Sequence, residues 1–316
     1  MNLKDELREI AFNNGVNYFG VGSIDRWDNA PLGHNPSDLL PTAKAVIVLG
    51  IRVPIGAIEG NNLAYRGFRH GIFTYMVFGY NRLGEILDRA GMLLLAHLEK
   101  NHKIQTFPIP ASIPRDEYMM MGVMSNRHSA VCAGLAEFGW NGLALTPDAG
   151  PRVRWMPLVV DKEIEPDPLY SGPKLCKGSA CRKCVDICPV DALSREKSVQ
   201  LEITDRLYSY AVLDKPRCRC AQTGLARGSS GRLQEEIPER MKTVEDWRAM
   251  LKRDDKWNKM EREAAMCGRC FVECPVGRSV VLKGEVGEKS SDYKGNVAYG
   301  DEQNPHGGGE VLPHSR

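Results

Sequence analysis

The sequence predicts an α/β domain followed by a metal-binding part. Helical and strand-like patterns alternate from residue 1 to about residue 165, which favours a layered α/β fold. Nine of the ten cysteines lie between Cys176 and Cys274, so the expected metal-binding part follows that domain. Prolines and glycines at 166–173 mark the boundary between them. The predicted divisions are 1–165 for the α/β domain, 166–283 for the metal-binding domain and 284–316 for a polar C-terminal tail.

Each predicted element follows from the spacing of its apolar residues. Leu3, Leu7 and Ile10 recur at helical spacing, and Gly15 supplies a stop. Unbroken β-branched runs predict strands that are covered on both faces. A stripe of leucines and isoleucines over 71–100 predicts one long helix or two in series. The other predicted elements are strands at 16–22, 45–51, 104–108, 143–146 and 153–160, and helices at 125–138 and 244–266.

Composition excludes several classes of protein. The 316 residues are 42% hydrophobic and 26% charged, which excludes a collagen-like or wholly disordered chain. A net charge of +2 is not that of a dedicated nucleic-acid binder. No apolar run approaches the roughly 20 residues that cross a bilayer, so we expect no membrane association. The N-terminus has neither an apolar signal core nor a twin-arginine motif, which predicts a cytoplasmic protein with reduced thiols.

The clustered cysteines form two runs that each end in Cys-Pro. The first run is Cys-x4-Cys-x2-Cys-x3-Cys-Pro over 176–189, and the second is Cys-x2-Cys-x3-Cys-Pro over 267–275. Two such runs are typical of a ferredoxin-type module with two [4Fe–4S] clusters. Each cluster needs four thiolates, and the last cysteine of a run ligates the other cluster. The four-residue gap after Cys176 departs from the two-residue gap of bacterial ferredoxins.

This crossing rule predicts two sets of four ligands. The first set is Cys176, Cys181, Cys184 and Cys274. The second set is Cys188, Cys267, Cys270 and either Cys218 or Cys220, of which we favour Cys218. Zinc is the alternative, because Cys-x2-Cys pairs also build tetrahedral zinc sites, but the two Cys-Pro endings favour clusters. The isolated Cys132 is predicted to be a small buried apolar residue.

Three segments resemble a known family. They are Phe78–Asn81, Ala133–Gly142 and Leu145–Arg152, which precede the two Cys-Pro runs in that order. On the basis of these segments, the sequence resembles the epoxyqueuosine reductases and reductive dehalogenases. The resemblance covers roughly residues 1–280. The resemblance implies a nitroreductase-like α/β (α+β) domain that binds base-off cobalamin without a protein axial ligand. It also implies a ferredoxin-like domain whose two [4Fe–4S] clusters reduce the cobalt.

The same resemblance implies an enzyme, a short cytosolic member that cleaves a C–O or C–halogen bond reductively at cobalt(I). An external electron donor such as ferredoxin or flavodoxin would reduce the clusters, and the substrate would be a small molecule or tRNA. Two alternatives stay open. One is an epoxyqueuosine reductase that acts on tRNA, and the other is a non-catalytic ferredoxin-like electron carrier or corrinoid-binding protein.

Candidate proton donors lie in and near the segment 114–118. The dehalogenases use a tyrosine as the acid and the epoxide reductases an aspartate, and this segment offers both. Tyr118 is our first candidate, with Arg115 or Arg127 lowering its pKa by charge. Asp116 and His128 are the alternatives.

Candidate cobalamin-binding residues lie in the segments that carry the resemblance. Glycines there could let the backbone approach the corrin closely. The side chains of Thr146 and Arg152 could reach its amide or phosphate groups. The predicted cofactor-binding residues are Gly139, Trp140, Asn141, Gly142, Thr146 and Arg152.

Overall fold

The computed structural model of the chain describes residues 2–66, 70–112, 121–222, 243, 246 and 267–278. All of them belong to one compact unit, Met1–Lys283, and a second unit spans Gly284–Arg316. The helices of the described residues are α1 Leu3–Asn13, α2 Pro36–Leu39, α3 Ile55–Tyr65, α4 Gly71–Met76, α5 Arg82–His97, α6 Asn126–Cys132, α7 Lys183–Asp186, α8 Lys215–Gln222 and α9 Arg269–Val272. The strands are β1 Tyr18–Ser23, β2 Ala45–Arg52, β3 Thr106–Pro108, β4 Glu137–Phe138, β5 Ala144–Leu145, β6 Val153–Val160, β7 Leu193–Ile203 and β8 Arg206–Leu213.

A four-stranded antiparallel sheet forms the centre, in the order β1-β2-β6-β3. Seven of the eight residues of β2 are buried, as its unbroken apolar sequence predicts for a strand that is covered on both faces. Helix α5 packs on one face, where Gly91 leaves room for the side chain of Met156. Helix α6 packs on the other, where Gly22 lies against the carbonyl of Cys132. The mixed α/β character that we predicted is therefore confirmed.

The predicted helix over 71–100 is interrupted twice. Helix α4 passes through a π-helical turn, Val77–Asn81, into α5, and a second π-helical turn, Leu98–His102, follows α5. The chain then leaves the helix at Lys103, whose φ of 58° is left-handed. The spacing of the apolar residues did not predict either interruption. A π turn is one residue wider than an α-helical turn, and the apolar residues on both sides of it still face the core.

The predicted helix at 125–138 is wrong beyond Cys132. The chain turns at Gly134, which has a φ of 75°, and a Cβ at this position would lie 2.0 Å from the carbonyl oxygen of Pro168. Only glycine fits this close approach. The following residues form β4, which pairs with β5 in a small hairpin.

The hairpin of β7 and β8 was not predicted. Most of its residues are exposed or partly buried, and its turn at Thr204 and Asp205 lacks the Asn-Gly or Asp-Gly signal. The predicted helix at 244–266 lies outside the described residues, apart from Asp246. Among the described helices none is both long and apolar enough to cross a membrane. The predicted domain boundaries and cytoplasmic location stay predictions.

Candidate metal centres

Four cysteines from the two cysteine runs line one cavity of about 510 Å³. Cys176 lies in a loop, Cys181 follows a 3₁₀ turn, and Cys184 lies in α7. Burial raises the pKa of the Cys184 thiol to about 12, and the neighbouring sulfurs of Cys176, Cys274 and Cys181 add to this increase. These four residues, which we name the first quartet, are Cys176, Cys181, Cys184 and Cys274.

Four other cysteines form a second group, which we name the second quartet: Cys188, Cys218, Cys267 and Cys270. Burial raises the pKa of Cys218 to about 12, and the sulfurs of Cys267 and Cys188 add to the effect. Burial also raises the pKa of Cys270, with Cys218, Cys267 and Cys188 as the next causes. The sulfur of Cys184, in the first quartet, also contributes to the raised pKa of Cys270, so the two quartets are neighbours.

The two cysteine runs have the same local design. In each run, a residue with left-handed φ directly precedes the short helix that carries the next cysteine: Arg182 (φ 51°) before α7 and Gly268 (φ 61°) before α9. The two helices contact each other. As a result, Cys188 lies with the second run and Cys274 with the first, which is the crossing that the spacing predicts.

The donor chemistry of both quartets fits iron–sulfur clusters. The sulfur of Cys176 accepts hydrogen bonds from the N–H groups of Trp140 (3.2 Å) and Gly178 (3.3 Å). The sulfur of Cys188 accepts one from the N–H of Ala192 (3.3 Å). Such donors stabilise thiolate ligands and tune cluster potentials. All eight cysteines are free thiols, so disulfides do not compete for them.

Arg152 holds the second run against the α/β sheet. Its side chain is 1% exposed, and it donates to the backbone carbonyls of Phe271 (3.3 Å), Val272 (3.4 Å), Cys274 (2.9 Å) and Val276 (2.5 Å). Every described hydrogen bond of this guanidinium therefore ends on the protein itself. The predicted contact of Arg152 with a cofactor gains no support from this arrangement.

Gly150 allows the same run to approach the sheet. Its φ is 57°, and a Cβ there would lie 2.1 Å from the carbonyl oxygen of Val276. On the other side of the contact, a Cβ on Gly277 would lie 2.3 Å from the amide nitrogen of Gly150. Thr146, which is fully buried, stabilises the turn, since its hydroxyl accepts from the N–H of Ala149 at 3.1 Å.

The segment 139–142 also contacts the cysteine runs. Trp140 donates its indole N–H to the carbonyl of Ser194 (3.2 Å), in addition to its backbone contact with Cys176. Asn141 donates to the carbonyl of Cys270 at 3.1 Å. Gly139, Trp140 and Asn141 line the cavity of the first quartet, whereas Gly142 accepts from Arg127 at 2.7 Å. The predicted corrin-binding segment thus joins the α/β sheet to both quartets.

A buried polar network on α3, which sequence reasoning missed, holds α9. Arg269 is 7% exposed and donates to the side-chain oxygens of Asn61 (3.0 Å), Asn62 (3.1 Å) and Glu273 (2.6 Å). Asn61 in turn donates to the carbonyl of Cys267 at 2.8 Å, and the hydroxyl of Tyr65 donates to its sulfur at 3.2 Å. The signal that could have indicated this network is a pair of asparagines in an apolar helix.

Of the candidate acids, His128 is the one that lies among the described residues. His128 is buried, and burial together with the charge of Arg127 lowers its pKa to about 3. Its Nδ1 lies 2.6 Å from the hydroxyl of Ser125 and its Nε2 3.1 Å from that of Tyr210. A neutral imidazole holds no excess proton near pH 7, which argues against His128 as the acid. The other three candidates lie outside the described residues and stay predictions: Tyr118, Arg115 and Asp116.

Cys132 is confirmed as a buried apolar residue. Its side chain is 2% exposed in α6, and burial raises the pKa of its thiol to about 12. Such a thiol is a poor nucleophile because the thiolate is scarce.

Comparison with known proteins gives two groups of relatives. No model of a protein family matches the chain. It is 27% identical over 212 residues to an epoxyqueuosine reductase of Staphylococcus aureus, which covers 60% of this chain and 52% of that protein. It is 39% identical over 98 residues to a tetrachloroethene reductive dehalogenase of Dehalobacter restrictus, covering 28% of this chain and 17% of that protein. The chain therefore spans about half the length of the first relative and much less of the second.

A solved structure shares the fold. It is an epoxyqueuosine reductase with a tRNA-Tyr epoxyqueuosine-modified tRNA stem loop, and it matches with a TM-score of 0.51 and 20% identity. The match covers 87% of this chain and 65% of that chain. The resemblance seen in the sequence is thus confirmed: the chain has homologues among both the epoxyqueuosine reductases and the reductive dehalogenases, and both groups are enzymes.

The close approach at Gly150 gives a direct test. We expect Gly150→Ala to cost about 1–3 kcal/mol or more, because the new Cβ meets the carbonyl of Val276 in a left-handed residue. Iron retained per chain and the thermal unfolding midpoint should both fall. Gly56→Ala is the matched control, since its Cβ would meet nothing within 4 Å, and it should leave both readouts near wild type. Equal iron retention in the two variants would contradict this account of docking.

Proposed function

We propose that this chain is an iron–sulfur reductase that delivers electrons through two [4Fe–4S] clusters to a reductive bond cleavage. The observation that carries the proposal is the partition of eight cysteines into two neighbouring quartets, each completed by the last cysteine of the other run. Zinc sites do not require this exchange, whereas two-cluster ferredoxin modules do. The homologous enzymes of both groups support a reductase.

The adjacent quartets support an electron path through the chain. Cys184 of the first quartet and Cys270 of the second pack against the same small apolar cluster, so iron–sulfur clusters on the two quartets would be neighbours. An external donor such as ferredoxin or flavodoxin would supply the electrons. Cleavage of a C–halogen bond takes up two electrons and one proton: R–X becomes R–H, and X⁻ leaves with the electron pair of the broken bond. Removal of an epoxide oxygen takes up two electrons and two protons, breaks both C–O bonds and releases an alkene and water. The proton would come from a side chain such as Tyr118, with Asp116 as the alternative.

We propose base-off cobalamin as the electron acceptor, on the resemblance to the two enzyme families. A bound cobalamin would supply a strongly reducing cobalt centre. The described polar contacts of the six residues predicted to bind it are with the protein, largely with the cysteine runs. No step of the reaction is therefore assigned to them. What these residues do is hold the clusters against the α/β sheet.

A second candidate is an epoxyqueuosine reductase that acts on tRNA. The solved relative with a bound tRNA stem loop supports tRNA as the substrate class. A small organic substrate is the alternative, which the likeness to a tetrachloroethene reductive dehalogenase supports. Restoration of queuosine in cells that lack epoxyqueuosine reductase separates the two, since only the tRNA enzyme restores it.

Cys218 should be the fourth ligand of the second quartet. It is buried beside Cys267 and Cys188, so we expect Cys218→Ser to lose one cluster. Anaerobically reconstituted wild type should contain about eight irons per chain and the variant about four. Cys220→Ser is the matched control two residues away and should keep about eight. A loss of iron in Cys220→Ser alone would reverse the assignment.

Cobalamin binding decides between a catalyst and a carrier. Protein with both clusters loaded should retain about one corrin per chain after anaerobic incubation with cobalamin and desalting, as read from the corrin absorption. Loaded protein that keeps its iron but retains no corrin would contradict the cobalamin-dependent mechanism and favour the electron carrier.

A further inference from the structure

Away from both quartets, three metal-ligating side chains meet between α1 and the end of α5. The Nε2 of His97 lies 2.8 Å from Oε1 of Glu6, and the Nε2 of His102 lies 3.3 Å from Oε2 of the same carboxylate. The ligand atoms of all three residues lie within 4.8 Å of one another. The two electron-transfer quartets use none of these residues, so this cluster needs its own explanation.

The π turn after α5 creates the cluster. In an α-helix, residues five apart point roughly 140° away from each other, which would separate His97 from His102. Here the N–H of Lys103 donates to the carbonyl of Leu98, five residues earlier, so the turn is wider. The two imidazole rings are consequently 5.2 Å apart between centroids. π turns are rare and occur frequently at functional sites.

The orientation of His97 provides the second observation. Its Nε2 is buried and makes no hydrogen bond, although Glu6 Oε1 is only 2.8 Å away. On the other side of the ring, the side-chain nitrogen Nδ2 of Asn101 lies 2.9 Å from Nδ1, and a rotation of the amide by 180° would bring its oxygen to the same place. With the amide oxygen turned to the ring, Asn101 would accept the Nδ1 proton and leave the lone pair of Nε2 free for a cation.

We propose that Glu6, His97 and His102 bind a divalent transition-metal ion, for which Zn²⁺ is the best match. Two imidazoles and one carboxylate, with water as the fourth ligand, form a known zinc donor set. Two ligands of a tetrahedral zinc at about 2.0–2.1 Å lie roughly 3.4 Å apart. The His102–Glu6 pair is already at 3.3 Å, and the His97–Glu6 pair at 2.8 Å needs to open by about half an ångström. The ion would join α1 to the end of α5.

The experiment uses the full chain with both clusters loaded, so that the eight cysteines of the two quartets are occupied. One equivalent of Zn²⁺ is added anaerobically, unbound metal is removed by gel filtration, and bound zinc is quantified. Zinc K-edge X-ray absorption then identifies the ligands, because Zn–N and Zn–O distances are about 2.0–2.2 Å and Zn–S distances about 2.3 Å. The ligand variants are His102→Gln and Glu6→Gln. His102 is chosen because its side chain is more exposed than that of His97. His34→Gln is the histidine control.

We expect about one zinc per chain with a nitrogen and oxygen shell, and zinc should raise the thermal midpoint of wild type and of His34→Gln. The affinity for zinc should fall at least about tenfold in His102→Gln and in Glu6→Gln, and zinc should no longer raise the thermal midpoint of these variants. A shell of sulfur ligands would overturn the proposal. So would zinc affinity in both ligand variants equal to that of wild type.

Discussion

The buried guanidinium of Arg152 makes the contacts on which the arrangement of the two cysteine quartets depends. A charge removed from water must be paired or fully hydrogen-bonded, and here it is satisfied by four backbone carbonyls at the end of α9 and beyond. The last carbonyls of a helix have no partner within the helix, so a cation stabilises them. One side chain from the α/β sheet thereby fixes the position of Cys274.

The exchange of cysteines makes this contact important for both quartets. Cys274 completes the first quartet, while Cys267 and Cys270 of the same run belong to the second. Displacement of the run would therefore remove cysteines from both quartets at once. The network of Arg269 with α3 holds the other end of the run, and Gly150 permits its close approach. The α/β sheet and the cysteine runs accordingly depend on each other.

Local patterns were sufficient to predict the central strands, and the cysteine spacing predicts ligand sets whose members the structure brings together in two groups. Cysteine spacing indicates the loops that could surround a cluster, and unbroken apolar runs indicate strands that are buried on both faces. The partners of Trp140, Asn141 and Arg152 were not predictable, because these residues contact segments that are far away in sequence. The same is true of the end of α6, which is set by the close approach of Gly134 to Pro168. The sequence resemblance marked these positions as important and did not reveal that they hold the cluster-bearing loops.

The segment 139–152 contacts both cysteine quartets and also connects them to the α/β sheet. Its backbone and side chains line the first quartet, contact the second and carry the arginine that holds the last run. A reductase needs its clusters at a fixed distance from the site that consumes the electrons. Contacts from one short segment to both quartets are a simple way to maintain that distance.

The central claim is that two [4Fe–4S] clusters sit side by side on the exchanged quartets. Electron paramagnetic resonance of the fully reduced, reconstituted chain tests it most directly. The account predicts about two unpaired spins per chain, with a broadened spectrum because neighbouring reduced clusters interact magnetically. A single sharp signal of about one spin per chain, from protein that contains its full iron, would contradict it.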